Sequence, residues 1–187
     1  MTFDKPKFTL DTNCLIAVAE GRPEALAIKR LLASQVQGTC SVAVVAVSAS
    51  EKQLDGKYLE NFEHFQSRLK LLGFGGAEIL LPLMIWGVGY WGHGLWGNAE
   101  FAEQDMYIHK ILFPEIELDH TEFCAKRGYQ VAANELHHKW RNAKCDVQAF
   151  WSHSHNKRTH FVTSDKNFHA STKRTLLEEH SQSSIVS

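Results

Sequence analysis

Two carboxylates delivered to the tips of apolar strands are where this chain could do chemistry. Near the N-terminus, Lys7-Phe8-Thr9-Leu10 runs into Asp11-Thr12-Asn13, and near the C-terminus His160-Phe161-Val162-Thr163 runs into Ser164-Asp165. In an open parallel α/β sheet the strand ends meet along one edge, and ligands bind in the crevice outside their carboxyl ends. Acids placed there offer hard oxygen ligands, which suit Mg²⁺ or Mn²⁺. A cation so held lowers the pKa of a bound water and stabilises charge on a leaving oxygen.

Histidines offer a different chemistry. His153, His155 and His160, with His137 and His138 nearby, carry nitrogen ligands suited to zinc. On a helix, however, His153 and His155 point to different faces, and the adjacent pair His137-His138 is splayed in the same way. Solvated or phosphate-contacting histidines are the expectation, with a His-based zinc hydrolase kept as an alternative.

The elements that must position these groups follow from periodicity. The sequence predicts strands at Phe8–Leu10, Thr39–Val42, Glu78–Leu81, Ile111–Leu118 and Phe161–Thr163. It predicts helices over Pro23–Val36, Val44–Leu54, Tyr58–Leu72, Val131–Arg141, Val147–His155 and Ala170–Glu179. The last two before the final strand are expected to divide near Asn142, which puts Asp146 at a helix start. Strands alternating with helices indicate an α/β fold with a central parallel sheet flanked by helices. Leu83–Asn98 interleaves Trp86, Trp91 and Trp96 with five glycines, which reads as an inserted loop or interaction surface. Ser181–Ser187 reads as a polar, frayed tail.

With 187 residues, 44% hydrophobic and 22% charged, the chain suits one soluble domain, here 1–180 with an insertion around 83–140. The net charge of −1 is unevenly spread: His137–Arg174 holds eight Lys or Arg against two Asp, a local +6. Basic residues around metal-holding acids suit a polyanion, and Lys144 and Arg158 are the expected phosphate contacts. Cys14, Cys40, Cys124 and Cys145 lack paired spacing and read as reduced, buried thiols. Ile79–Tyr90 is the most apolar run and is too short to span a bilayer, so a cytoplasmic protein is expected.

Asp11-Thr12-Asn13 after an apolar strand, Glu51 after the β-branched run Val44-Val45-Val47, then Asp146 ahead of Phe161-Val162-Thr163-Ser164-Asp165-Lys166-Asn167-Phe168 resembles the PIN-domain nucleases. The resemblance covers about 7–54 and 142–170. It implies a PIN-like α/β fold and Mg²⁺- or Mn²⁺-dependent cleavage of RNA. Asp11, Glu51, Asp146 and Asp165 match the four metal-holding, catalytic acids, and Asn13 matches the polar residue that orients the first acid or a substrate phosphate. Thr163 and Ser164, beside the fourth acid, can hydrogen-bond carboxylate oxygens or a phosphate, while Thr12 serves the turn. Lys52 and Gln53 depart from the apolar residue common after the second acid. The family includes toxins paired with an antitoxin, and its members often form homodimers. The span between Glu51 and Asp146 is long for such a toxin, which leaves room for a stand-alone RNA-processing role. A PIN-fold module that binds RNA or protein without cutting is the other reading, although none of the four acids is lost.

Overall fold

The computed structural model describes residues 5–51, 59, 61–130 and 135–187. β1 (Lys7–Leu10) leads through α1 (Thr12–Glu20) and α2 (Ala25–Val36) to β2 (Ser41–Val45). A 3₁₀ turn (Ala46–Ser50) and α3 (Phe62–Leu71) precede β3 (Glu78–Leu80), and α4 (Ala99–Leu112), α5 (His120–Arg127) and α6 (His138–His155) then return the chain to β4 (His160–Val162). Finally α7 (Lys166–His169) and α8 (Ser171–Ser181) reach β5 (Ser184–Val186).

All four strand pairings are parallel, in the order β3-β2-β1-β4-β5. The expected α/β class with a central parallel sheet is therefore what the chain adopts. From β1 the chain steps outward to β2 and β3, then crosses back to β4 and steps outward to β5. The strand order reverses between β1 and β4, and that reversal opens the ligand crevice of such sheets.

Side chains alternate across the sheet as a pleated strand requires. Val42 and Val44 face one core with α1, α2 and α3. Ala43 and Val45 face a second, with α4, α6 and α8. α1 starts on Asp11, whose carboxylate accepts from Thr12 N, and stops at Gly21, whose φ of 67° is the left-handed conformation glycine tolerates.

Several expected elements come out differently. The β-branched run at Val42–Val45 continues the second strand, and Ala46–Ser50 closes as a 3₁₀ turn instead of beginning a long helix. The expected helix end at Leu54 and starts at Tyr58 and Val131 lie outside the described residues. The helices expected on either side of Asn142 are one continuous α6, so Asp146 sits within a helix rather than at its start. Asn142 is exposed there and costs only its modest helix propensity. Ile111–Leu118 is not a strand: Ile111 and Leu112 end α4, and Phe113–Leu118 is irregular. The tail is corrected as well. Ser184–Val186 pairs with β4, and Ile185 is fully buried, so the domain extends beyond residue 180. A three-residue strand among serines carries too little alternation to be read from sequence.

Leu83–Asn98 folds back on itself through Met84 N to Leu95 O (2.8 Å) and Leu95 N to Pro82 O (2.8 Å). A Cβ on Gly89 would stand 2.9 Å from Met84 Sδ, so a larger residue there would displace the flexible Met84 side chain. Trp86, Trp91 and Trp96 are 78%, 69% and 72% exposed, yet they touch one another, with ring centroids 5.6 and 6.0 Å apart.

Candidate functional site

Asp11 closes the C-terminal end of β1, where its backbone N–H still bonds Val162 O of β4 (3.0 Å). Its carboxylate is buried and fixed from three sides. Thr12 N donates to Oδ1 (2.8 Å), while Thr163 Oγ1 (2.7 Å) and Asn13 Nδ2 (3.3 Å) donate to Oδ2. The Thr163 hydroxyl also accepts from Asp165 N (3.0 Å), so one side chain ties the first acid to the last. Asp165 in turn caps α7 by accepting from Asn167 N (2.8 Å).

Glu51 follows the 3₁₀ turn beyond β2. Thr12 Oγ1 donates to Glu51 Oε1 (2.5 Å) and lies 2.7 Å from Ser48 Oγ. Thr12 thus serves more than the turn expected of it: its amide holds Asp11 and its hydroxyl holds Glu51. Asp146 approaches from α6, and five residues before it Arg141 Nε donates to Ser50 O (2.9 Å), beside Glu51.

The electrostatics follow from this convergence. Burial, then repulsion from Asp11 and Asp165, pushes the Glu51 carboxyl up to about 8, although its Thr12 hydrogen bond pulls the other way. Burial, with Asp11, Glu51 and Asp165 adding repulsion, holds Asp146 well above the usual carboxylate range. Asp11 is also raised, by burial first and Asp165 further, against the lowering effect of its hydrogen bonds. Like charges this close cannot all ionise without a counter-charge, so the acids retain protons or accept a cation. Four carboxylates with flanking hydroxyls make an all-oxygen donor set of the kind hard divalent ions prefer. Among the described residues, no group of three His, Cys, Asp or Glu side chains is gathered tightly enough to hold a metal as it stands.

Asn13 and Ser164 stand at the same edge and line a common cavity beside Asp11. The two expected phosphate contacts do not. Lys144 is buried, with Nζ 3.3 Å from Asp105 Oδ2. It lies two residues before Asp146, and residues so spaced point to different sides of a helix. Arg158 is also buried, reaching Glu78 Oε2 (2.8 Å), Phe8 O (3.0 Å) and Ser41 O (3.1 Å). Ser41 and Glu78 begin their strands, so Arg158 occupies the edge opposite the acids. Neither side chain is presented to a phosphate. Lys173 and Arg174 are likewise engaged, with Leu112 O and Glu178 respectively.

The histidines assume other roles. His153 is fully buried between Thr9 Oγ1 (2.9 Å) and Ser183 Oγ (2.7 Å). His155 stacks on Trp151, His160 on Phe8, and His137 on His138. Sequence reasoning missed Arg141 as a site-builder and gave Thr12 only the turn, whereas Thr163 does hydrogen-bond a carboxylate as expected, that of Asp11. For Thr12 the available signal was a hydroxyl directly beside the strand-end Asp11.

No protein-family model and no curated protein matches the chain. Among solved structures, a chain from the crystal structure of VapBC2 from Rickettsia felis bound to a DNA fragment from their promoter is similar over 97% of each chain. The identity is 14% and the TM-score 0.43. The four cysteines are free and buried, and among the described residues no helix is long and apolar enough to cross a membrane.

Proposed function

We propose that this chain is a PIN-type, divalent-metal-dependent ribonuclease that hydrolyses RNA phosphodiesters. The observation that carries the proposal is the convergence of Asp11, Glu51, Asp146 and Asp165 at the β1/β4 crevice, where the first three hold raised pKa values. Groups driven this far from their ordinary values in a cleft mark functional sites more often than structural ones. Asp11, Asp146 and Asp165, with Glu51 behind Thr12, would hold Mg²⁺ or Mn²⁺. When bound, the ion would supply a low-pKa water and charge stabilisation at the phosphodiester. The protein's own part is orientation. Thr163 and Asn13 fix the Asp11 oxygens, Thr12 fixes Glu51, and Asn13 and Ser164 offer hydrogen bonds to a substrate phosphate. Toxin pairing with an antitoxin, or a homodimer, would use the exposed Trp86, Trp91 and Trp96 as contact surface. Four free thiols suit the reducing cytoplasm.

One observation favours the second reading, a PIN-like module that binds RNA or protein without cutting: the described acids are not gathered at ligand distance. Incubating the protein with a mixed RNA pool, with Mn²⁺ or with EDTA, separates the two. Cleavage that requires Mn²⁺ and disappears in Asp11→Asn supports the nuclease; binding of RNA without metal-dependent cleavage supports the module.

A further inference from the structure

An apolar cavity of about 230 Å³ begins where the acid site ends. Its origin lies in the topology. α1 and α2 pack over β1 and β2, so on that face Val162 of β4 and Val186 of β5 are left half-buried. Ala17, Ile28 and Leu31 supply the opposite apolar wall. At one end stand Asn13, Thr163 and Ser164, two of which hydrogen-bond Asp11, and Arg22 stands at the rim with Nε 2.5 Å from Glu20 Oε2.

A cavity of about 150 Å³ lined by apolar side chains takes a benzene ring, so this one admits a larger flat heterocycle. An apolar slot closed at one end by a few hydrogen-bonding groups is the usual form of a site for such a ring. We propose that the cavity binds a nucleobase, that of the nucleotide adjoining the phosphodiester held at the acid edge. The ring lies between the α1–α2 wall and Val162, Arg22 meets its polar edge, and Asn13 and Ser164 stand at the end that adjoins the phosphate. Base preference in cleavage is then set here, by Arg22 and the apolar wall of Ala17, Ile28, Leu31 and Val162, none of which is among the four acids. The proposal rests on the nuclease reading for its substrate, and its test is chosen to stand apart from activity.

Nucleoside 5′-monophosphates and, as a phosphate-only probe, ribose 5-phosphate are titrated against the methyl resonances of Ala17, Ile28, Leu31 and Val162. At least one nucleotide is expected to shift these methyls, with ribose 5-phosphate leaving them unmoved. Ala27 lines the mouth of the cavity from an exposed helix position, so Ala27→Phe narrows the slot without touching the core. This variant is expected to weaken the nucleotide at least tenfold and to raise KM for RNA with kcat unchanged. Equal shifts from ribose 5-phosphate, or nucleotide affinity unchanged in a folded Ala27→Phe protein, overturn the proposal. If nucleotides shift the methyls but the parent cuts no RNA with Mn²⁺, the base site stands and the nuclease reading fails. RNA cleavage without any methyl shift rejects the base site and leaves the nuclease reading standing.

Discussion

The two edges of the sheet treat charge in opposite ways. At the strand starts, Arg158 meets Glu78 at 2.8 Å and two backbone carbonyls, so a buried cation faces an opposite charge and acceptors, although its Nε has no hydrogen-bond partner among the described residues. At the strand ends, burial first and the neighbouring carboxylates next raise the pKa values of Asp11, Glu51 and Asp146, with hydroxyls and amides as their neighbours. The first arrangement compensates its charge locally, with an opposite charge in contact. The second leaves repulsion unresolved inside the fold, which persists where function requires it. The same contrast recurs along α6, where Lys144 is satisfied by Asp105 and Asp146 faces other acids.

Neutralising one charge of each kind, an acid among acids and a paired base, should separate the two arrangements most visibly. Asp11→Asn is expected to reduce Mn²⁺-dependent RNA cleavage by roughly a hundredfold or more, the usual scale for losing a charge-stabilising group. Its thermal midpoint should equal or exceed the parent's in metal-free buffer, because repulsion is relieved. Full cleavage by the folded variant would remove Asp11 from the site. Lys144→Met should do the opposite. Leaving Asp105 buried without its cation costs about 3–5 kcal/mol, read by urea unfolding, while RNA affinity of the folded fraction stays the same. A stable Lys144→Met protein with weakened RNA binding would restore Lys144 as a phosphate contact.

A smaller effect should appear with pH. Burial, then Arg158 and His160, pushes the His153 imidazole down to about 3 from an ordinary 6.5. Between those values the unfolded chain binds a proton that the folded protein refuses. The contribution is therefore present above pH 6.5 and lost as pH falls toward 3, at up to about 1.4 kcal/mol per pH unit. His153→Gln should flatten that part of the stability profile relative to the parent in parallel melts at about pH 7 and about pH 5, either side of the ordinary imidazole pKa. Matched slopes would show that His153 is protonated in the fold. The smallest stability change is expected at the exposed aromatics. Replacing Trp91 and Trp96 by Ser should shift the melting midpoint little while reducing any association seen by light scattering, since both rings are exposed. Unfolding of a monomeric parent by these changes would make the segment part of the core.

Local sequence determined the ends of the acid site. An apolar strand followed by Asp dictates a carboxylate at a strand tip, and Asp11 and Asp165 both cap the helices that follow. The parallel α/β class was legible for the same reason, since alternation and helical spacing are short-range signals. Only the tertiary structure decided which charges face inward. Lys144 and Arg158 belong to a basic stretch by composition, but the direction of a side chain on α6 and the edge at which Arg158 emerges are set by packing. The pairing of β5, the choice of Glu51 as partner for Thr12 and of Asp11 for Thr163, and the cavity left beside β4 likewise depend on strand order. Residues 12 and 51, or 11 and 163, become neighbours through the sheet alone, and no local pattern records a contact between positions so far apart in the chain.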